Sequence, residues 1–147
     1  MNFEGRAQRQ LFVSASVVPS ESVEQQRLFQ WLRLTARLYP EGSEMRETLH
    51  WIHSIPNGAH LSGRQAAKMV AEGLTKGILD ISTDEARQGF HGLRIEMKRK
   101  GGRISPEQRD YMKYLKRIGI RTEVCYCWRG AARVLIDYLD LTEYDPI

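Results

Sequence analysis

Three features that define specialised protein classes are scarce or missing in this sequence: cysteine, long apolar runs and internal repeats. Only 2 of its 147 residues are cysteine, so we expect no disulfide framework and a reducing, cytoplasmic setting. No apolar stretch reaches the roughly 18 residues that a membrane-spanning helix needs, and the first residues lack the apolar core of a signal peptide. These absences argue against a disulfide-stapled secreted domain, a membrane protein and a repeat array.

The composition that remains is that of an ordinary globular protein. Hydrophobic residues make up 41% and charged residues 27% of the chain, which argues against a disordered or coiled-coil class. A length of 147 residues suits one domain, since domains run to roughly 100–200 residues. We expect a loosely structured N-terminal extension over residues 1–19 and one folded domain over residues 20–147.

Positive charge is concentrated in one part of the chain. The whole sequence carries a net charge of only +4. Residues 87–133, however, hold 13 Lys and Arg against 4 Asp and Glu, a net charge of +9, whereas residues 1–86 hold 9 against 10. Such asymmetry is typical of a nucleic-acid-binding protein, although a solvated basic face would give the same counts.

Apolar periodicity and turn residues predict alternating helices and strands. Ser20 or Ser22 caps a first helix that Pro40 ends. The predicted order is αβαββαβα, which indicates a layered α/β domain, with helices at 20–40, 62–73, 105–119 and 131–141 and strands at 50–55, 77–81, 90–98 and 120–128. The packing positions expected in the second helix are Ala66, Ala67, Met69 and Val70.

Three charged residues stand out because their positions suit metal chemistry. Asp80 interrupts an apolar strand, where an unpaired carboxylate is costly to bury. Glu96 and Lys98 lie two residues apart on a later strand, so their side chains leave the same face. If the two strands form a hairpin, Asp80 lies beside Glu96, and such close carboxylates repel each other unless a cation such as Mg²⁺ or Mn²⁺ binds between them. The alternative is an exposed Glu96–Lys98 pair with Asp80 at the end of a strand.

A family resemblance distinguishes these alternatives. Asp80 followed by Glu96-Met97-Lys98 resembles the acid…Glu-x-Lys signature of the PD-(D/E)xK nuclease superfamily. More specifically, residues from about 20 to 139 resemble a stand-alone VRR-NUC (virus-type replication-repair nuclease) domain. The resemblance rests on ordered motifs, which are Ile55-Pro56-Asn57-Gly58, Ala71-Glu72-Gly73-Leu74 leading to Gly77-Ile78-Leu79-Asp80, His91-Gly92-Leu93-Arg94-Ile95-Glu96-Met97-Lys98, and Ser105-Pro106-Glu107-Gln108. Leu79 departs from the proline that the superfamily name implies, at a position that supplies no metal ligand.

The resemblance implies a restriction-endonuclease-like α/β fold with an αβββαβ core, in which helices flank a mixed central sheet. It implies metal-dependent hydrolysis of a DNA phosphodiester by an activated water, with Mg²⁺ or Mn²⁺ as the cofactor. The implied catalytic residues are Asp80, Glu96, Lys98, Gln108 and Glu24. The implied metal ligands are Asp80, Glu96, the Met97 carbonyl and Glu24. Glu21 is the rival of Glu24 as the acid of the first helix.

Basic residues around these positions are candidates for phosphate contacts, which would make DNA binding salt-sensitive and largely independent of sequence. They lie directly after the strand that carries Glu96, on the helix that follows it, and on the helix before Asp80. The candidates are Arg99, Lys100, Arg103, Lys113, Arg64 and Lys68. A role in solubility alone is the alternative for each of them.

The expected substrate follows from family analogy and from no particular residue. Stand-alone members resemble Holliday junction resolvases in acting as homodimers on branched DNA, and a two-fold dimer suits a four-way junction with two equivalent cleavage points. The alternatives are a monomeric flap or nicking endonuclease and a non-catalytic DNA-binding module. The family analogy also allows a virus-associated location in host cytoplasm.

Two other groups of residues are assigned structural roles. His50 and His53 would face opposite sides of one strand, so we expect no metal site there. Trp31, Trp51 and Trp128 lie among apolar neighbours in the sequence, and we predict that they are core residues and not platforms on which bases stack.

Overall fold

A four-stranded mixed sheet with helices around it forms the centre of the computed structural model, which describes residues 17–57 and 61–141. The strands are β1 (His53–Ser54), β2 (Ile81–Thr83), β3 (Leu93–Met97) and β4 (Arg121–Cys125). The helices are α1 (Glu21–Ala36), α2 (Glu44–His50), α3 (Gly63–Ala71), α4 (Pro106–Arg117) and α5 (Trp128–Leu139). Most of the expected N-terminal extension, residues 1–16, lies outside the described residues, as does Gly58 of the first motif.

The strands lie side by side in the order β1-β2-β3-β4. β1 pairs antiparallel with β2 and β2 antiparallel with β3, whereas β3 and β4 are parallel. α4 supplies the crossover that two parallel neighbours require. Along the chain, α1, β1 to β3, α4 and β4 form an αβββαβ core, so the predicted α/β fold with a mixed central sheet flanked by helices is confirmed.

Serine side chains cap the N-termini of α1 to α4. The hydroxyl oxygens that accept the bond from the backbone N–H three residues later belong to Ser20, Ser43, Ser62 and Ser105. At α4 the cap is a full capping box, because the Gln108 side-chain oxygen also accepts a bond from the Ser105 N–H at 3.0 Å. The helix start predicted at Ser105 is therefore confirmed, and of the two serines predicted as alternative caps of the first helix, Ser20 is the cap. None of the helices in the described ranges is long and apolar enough to cross a membrane.

The hydrophobic core packs the sheet against α1 and α5. Its buried side chains include Leu28, Leu32, Ile95, Met97, Leu135 and Tyr138. Apolar residues alternate with Arg94, Glu96 and Lys98 in the sequence, which predicts a half-buried strand with one charged face. That prediction is wrong for Glu96, which is only 1% exposed. The reason is that β3 lies between two other strands and that Gln108 of α4 contacts the Glu96 carboxylate.

One helix, α2, was absent from the sequence-based prediction. It has only seven residues, of which Leu49 alone is buried, so it is too short to show an apolar period. The strand predicted at 50–55 is wrong at its start, because His50 belongs to α2 and β1 is limited to His53–Ser54. Trp51, which caps the C-terminus of α2, is 65% exposed, so its assignment to the core is also wrong.

Three further boundaries and faces differ from expectation. β2 begins at Ile81, where the predicted strand 77–81 ends, and Thr83 is buried within it. No residue of α3 is buried, and its predicted packing positions Ala67 and Val70 are exposed, because α3 makes no extensive contact with another described helix or strand. α5 begins at Trp128, earlier than the predicted 131, since the Cys127 side chain caps it.

Gly77 allows the loop before β2 to pack directly on the first turn of α4. Its φ is +88°, and a Cβ atom at this position would lie 2.5 Å from the carbonyl carbon of Glu107. Gly77→Ala should lower the free energy of unfolding by about 3 kcal/mol, because a left-handed backbone costs an L-residue about 1–2 kcal/mol and the clash adds to that cost. Urea denaturation followed by circular dichroism measures the change.

Gly42→Ala is the matched control for this prediction. Gly42 has a similar φ of +76° but no atom within 4 Å of the position that a Cβ would occupy. Its substitution should cost only the backbone strain, about 1 kcal/mol. Equal losses in the two variants would contradict the close approach of Gly77 to α4.

Candidate active site

The hairpin of β2 and β3 brings Asp80 to the strand that carries Glu96. Asp80 directly precedes β2, and the antiparallel register, continued by one residue, places it level with Glu96. Its Oδ2 atom accepts a hydrogen bond from the Met97 backbone N–H at 2.8 Å, and its Oδ1 atom accepts one from Asn57 Nδ2 at 3.5 Å. The structure therefore brings Asp80 and Glu96 together in the way that the sequence spacing predicts.

The Glu96 carboxylate has one satisfied oxygen and one unsatisfied oxygen. Oε1 lies 2.7 Å from Lys98 Nζ and also accepts a hydrogen bond from Gln108 Nε2. Oε2 is buried and has no hydrogen-bond partner among the described residues. A buried acceptor without a donor costs about 1–3 kcal/mol, and more when it is charged, so this oxygen marks a place where a cation or a proton would be stabilised.

The charges at this site shift each other's protonation. Burial is the main reason why the pKa of the Asp80 carboxyl and that of the Glu96 carboxyl are both raised, and repulsion between the two carboxylates raises the Glu96 pKa further. Burial lowers the pKa of Lys98, but its hydrogen bond to Glu96 and the negative charges of Glu96, Glu21 and Asp80 outweigh burial, so the Lys98 pKa is raised. Lys98 is therefore a permanent cation at neutral pH, beside two carboxyls that resist ionisation.

The donor set fits a hard divalent cation. The Asp80 and Glu96 carboxylates, one of which has a buried oxygen without a partner, supply oxygen ligands of the kind that Mg²⁺ and Mn²⁺ prefer. A cation between them would offset the rise in the pKa values of both carboxyls. Within residues 17–57 and 61–141, no three Asp, Glu, His or Cys side chains are grouped to enclose a metal ion. Backbone or water oxygens would have to complete the coordination, which is the usual situation for Mg²⁺.

The two candidate acids of α1 have different surroundings. Glu24 is 6% exposed, and its Oε2 atom accepts a hydrogen bond from the Trp128 N–H at 2.7 Å, so it stabilises the N-terminus of α5. Glu21 lies at the start of α1, where its charge acts on both Asp80 and Lys98 and its Oε1 atom accepts a bond from the Arg99 N–H at 3.2 Å. The preference for Glu24 over Glu21 is therefore not supported by the geometry, which brings Glu21 to the site.

An open groove leads to Asp80 between α1, α2 and β1, and we call it the α1–β1 groove. Its lining includes Asp80 and Arg99 together with the basic residues Arg33 and Arg37 of α1 and its C-cap. Neither arginine is among the residues that the sequence predicts to contact DNA. The spacing of four residues, which puts both on one face of a helix, was the signal that could have identified them.

The structure places the predicted DNA-contacting residues on the surface at three locations. Arg99 lines the α1–β1 groove, and Lys100 and Arg103 are exposed in the turn that follows. Lys113 is exposed on α4, where its Nζ lies 3.6 Å from Asp110. Arg64 and Lys68 are exposed on α3. Only Arg99 is brought to the groove that contains Asp80, and the DNA-binding roles of all six stay predictions.

Comparisons with known proteins find one family and a similar solved structure. The family model described as the VRR-NUC domain matches residues 19–128. A solved structure described as a VRR_NUC domain protein is similar to this chain, with 26% sequence identity and a TM-score of 0.67 over 84% of this chain and 91% of the other. A search of curated proteins finds no match.

Ionisation of Asp80 destabilises the folded state, because burial raises the pKa of its carboxyl. A carboxyl with a higher pKa in the folded than in the unfolded state binds more protons when folded, so its contribution to stability falls as the pH rises through that range. In metal-free protein at pH 7, Asp80→Asn should therefore raise the free energy of unfolding by about 1 kcal/mol, a usual size for one substitution. Urea denaturation in EDTA measures this change.

The gain from Asp80→Asn should shrink as the pH falls, because Asp80 in the folded chain is then protonated and no longer charged. Asp84→Asn is the control, since Asp84 is exposed and lies 3.0 Å from Arg94 Nη2, and it should give no gain at pH 7. A loss of stability on Asp80→Asn at pH 7, or a gain that grows on acidification, would contradict the assignment of buried charge to Asp80.

Proposed function

The chain belongs to the VRR-NUC family of nucleases, and we propose that it is a metal-dependent, structure-selective DNA endonuclease. The observation that supports this proposal best is the buried Glu96 Oε2 atom, which has no partner in the described part of the chain. It belongs to β3, two residues before Lys98, and lies beside Asp80. A divalent cation bound there would satisfy this oxygen and would reduce the repulsion between the two carboxylates.

We propose that Mg²⁺ or Mn²⁺ is held by Asp80, Glu96 and the Met97 carbonyl, with an acid of α1 contributing through a coordinated water, because no third acidic side chain is grouped with Asp80 and Glu96 in the described part of the chain. Glu21 is the better candidate for that acid, because its charge acts on Asp80, whereas Glu24 is engaged by the Trp128 N–H. When bound, such an ion activates water and neutralises charge that develops on a phosphate.

Lys98 and Gln108 act on the same carboxylate in different ways. The raised pKa of Lys98 keeps its ammonium group charged, so it can stabilise negative charge on the phosphate or orient the attacking water. Gln108 donates a hydrogen bond to Glu96 Oε1 while its own oxygen accepts from the Ser105 N–H. The capping box of α4 thereby fixes the direction of the Glu96 side chain, which leaves Oε2 free for a cation.

The exposed basic residues supply the DNA-binding surface in this proposal. They would contact phosphates on both sides of the site, with Arg99, Arg33 and Arg37 in the α1–β1 groove and the others around it. The others are Lys100, Arg103, Lys113, Arg64 and Lys68. Contacts of this kind give binding that weakens with salt and depends little on base sequence.

We propose branched DNA as the substrate and a homodimer as the active form, with a Holliday junction as the first substrate to test. The support is family analogy, together with the symmetry of a four-way junction. A monomer that cuts flaps or nicks DNA is the alternative within the same chemistry. We propose a reducing cytoplasm as the location, virus-associated or not, and the free thiols of Cys125 and Cys127 are consistent with it.

Lys98→Ala should reduce kcat for DNA cleavage by at least about 100-fold, the usual loss when a group that stabilises transition-state charge is removed. Its Kd for DNA should change less than about threefold, because one charge among several is lost. Labelled four-way junctions, flaps and duplexes incubated with Mg²⁺ or Mn²⁺ give both values, and sedimentation gives the oligomeric state. Paired symmetric cuts by a dimer would identify the resolvase, and cleavage of flaps by a monomer would identify the alternative.

Lys100→Ala is the matched control, because Lys100 is an exposed lysine two residues away on the same turn. It should keep kcat while weakening DNA binding and lowering the slope of log Kd against log salt by about one. DNA binding without cleavage by the unmodified chain, whatever the divalent metal, would contradict the nuclease proposal and favour a non-catalytic DNA-binding module.

A further inference from the structure

Trp51 is a large aromatic side chain held in place at the surface. Its indole is 65% exposed, although tryptophan is usually well buried. Its backbone N–H donates to the Glu47 carbonyl at 3.1 Å, and its carbonyl oxygen lies 2.9 Å from His53 Nδ1. The His50 ring packs edge-on against the indole, with 4.9 Å between ring centroids. The two backbone contacts fix the position of Trp51, the His50 ring supports one edge of its indole, and most of the residue is open to solvent.

This indole lines the α1–β1 groove that contains Asp80. The Ile55 N–H donates to the Asp80 carbonyl at 2.8 Å, so Ile55 marks the position of Asp80 along β1. Ile55 lies four positions after Trp51, and an extended chain of that length places their Cα atoms at most about 14 Å apart. At a rise of about 3.4 Å for each nucleotide of a stacked strand, Trp51 lies within roughly four nucleotides of the site.

The surface beyond Trp51 is acidic. A second, smaller depression also contains Trp51, and its lining includes four acids and no Lys or Arg: Glu44, Glu47, Asp84 and Glu85. Asp84 and Glu85 are paired with Arg94 and Arg87, which leaves the acids of α2 as the nearest uncompensated charges among the described residues. These acids would repel phosphates, and Glu47 also lines the α1–β1 groove, so the charge disfavours the continuation of a bound DNA strand past Trp51.

We infer, on the basis of the proposed nuclease function, that Trp51 stacks on an unpaired base of the strand that enters the α1–β1 groove. Bases inside a duplex are covered on both faces by their neighbours and offer no face to a protein ring, whereas unpaired bases do. The substrate class is therefore DNA with at least one unpaired nucleotide within about four nucleotides of the cleaved bond, as at a fork, flap or open junction.

Binding measurements on the full chain test this inference. Fluorescence anisotropy in Mg²⁺, with Lys98→Ala present throughout to prevent cleavage, gives Kd for a forked DNA and for a blunt duplex of equal length. Adding Trp51→Ala should weaken binding to the fork about tenfold, the usual effect of losing one base–aromatic stack, and change binding to the duplex less than twofold. Trp51→Phe should retain most of the affinity, because phenylalanine keeps an aromatic face.

Phe90→Ala is the matched control, because Phe90 is a partly exposed aromatic residue at the opposite end of β3 from Glu96. It should change neither Kd. A 2-aminopurine placed at each unpaired position in turn should be quenched on binding at one position within about four nucleotides of the cut, and Trp51→Ala should abolish that quenching. A fall in stability alone would not remove quenching at a single position.

Two outcomes would overturn the inference. One is equal weakening of fork and duplex binding by Trp51→Ala, which would make Trp51 a support for the backbone of the groove. The other is no change in either Kd, which would point to a protein partner on this surface. If the unmodified chain cleaves DNA while either outcome is observed, the inference about Trp51 fails alone. If the unmodified chain neither binds nor cleaves any DNA, the proposed function fails as well.

Discussion

The burial of Glu96 beside Asp80 is the constraint on which the rest of the site depends. Two carboxyls with raised pKa values cost folding energy, and the chain offsets only part of that cost through the Met97 N–H, Lys98 and Gln108. Each of these partners acts on one oxygen, and Glu96 Oε2 receives none. A cation that binds at this point would supply the stabilisation that the metal-free fold lacks.

Contacts among β2, β3 and α4 hold the Asp80 and Glu96 carboxyls in place. The β2–β3 hairpin sets Asp80 against Glu96, and the close approach of Gly77 to Glu107 sets the first turn of α4 against the loop before β2. That turn carries Gln108, so a helix cap and an active-site contact are made by the same side chain. The N-terminal cap of α4 and the active site are therefore coupled, and a change in that cap should alter the contacts of Glu96.

Much of this arrangement could be predicted from sequence because it depends on local signals. The caps at Ser20 and Ser105 and the α/β order follow from residue type and spacing, and the closeness of Asp80 to Glu96 follows once β2 and β3 form a hairpin. Features that depend on tertiary contacts could not be predicted: the burial of Glu96, the exposure of α3 and Trp51, and the different surroundings of Glu21 and Glu24. Those acids lie one helical turn apart, so only the position of α5, whose Trp128 N–H engages Glu24, distinguishes them.

The central claim is that Asp80 and Glu96 together hold a divalent cation, and anomalous diffraction from crystals of the full chain grown with Mn²⁺ tests it most directly. The account predicts an anomalous peak within coordination distance of both carboxylates, with Glu96 Oε2 among the ligands and Glu21 nearer to the peak than Glu24. Crystals of Glu96→Gln should lack the peak. An unmodified chain with no peak in saturating Mn²⁺, and with Lys98 still bound to Glu96 Oε1, would contradict the account.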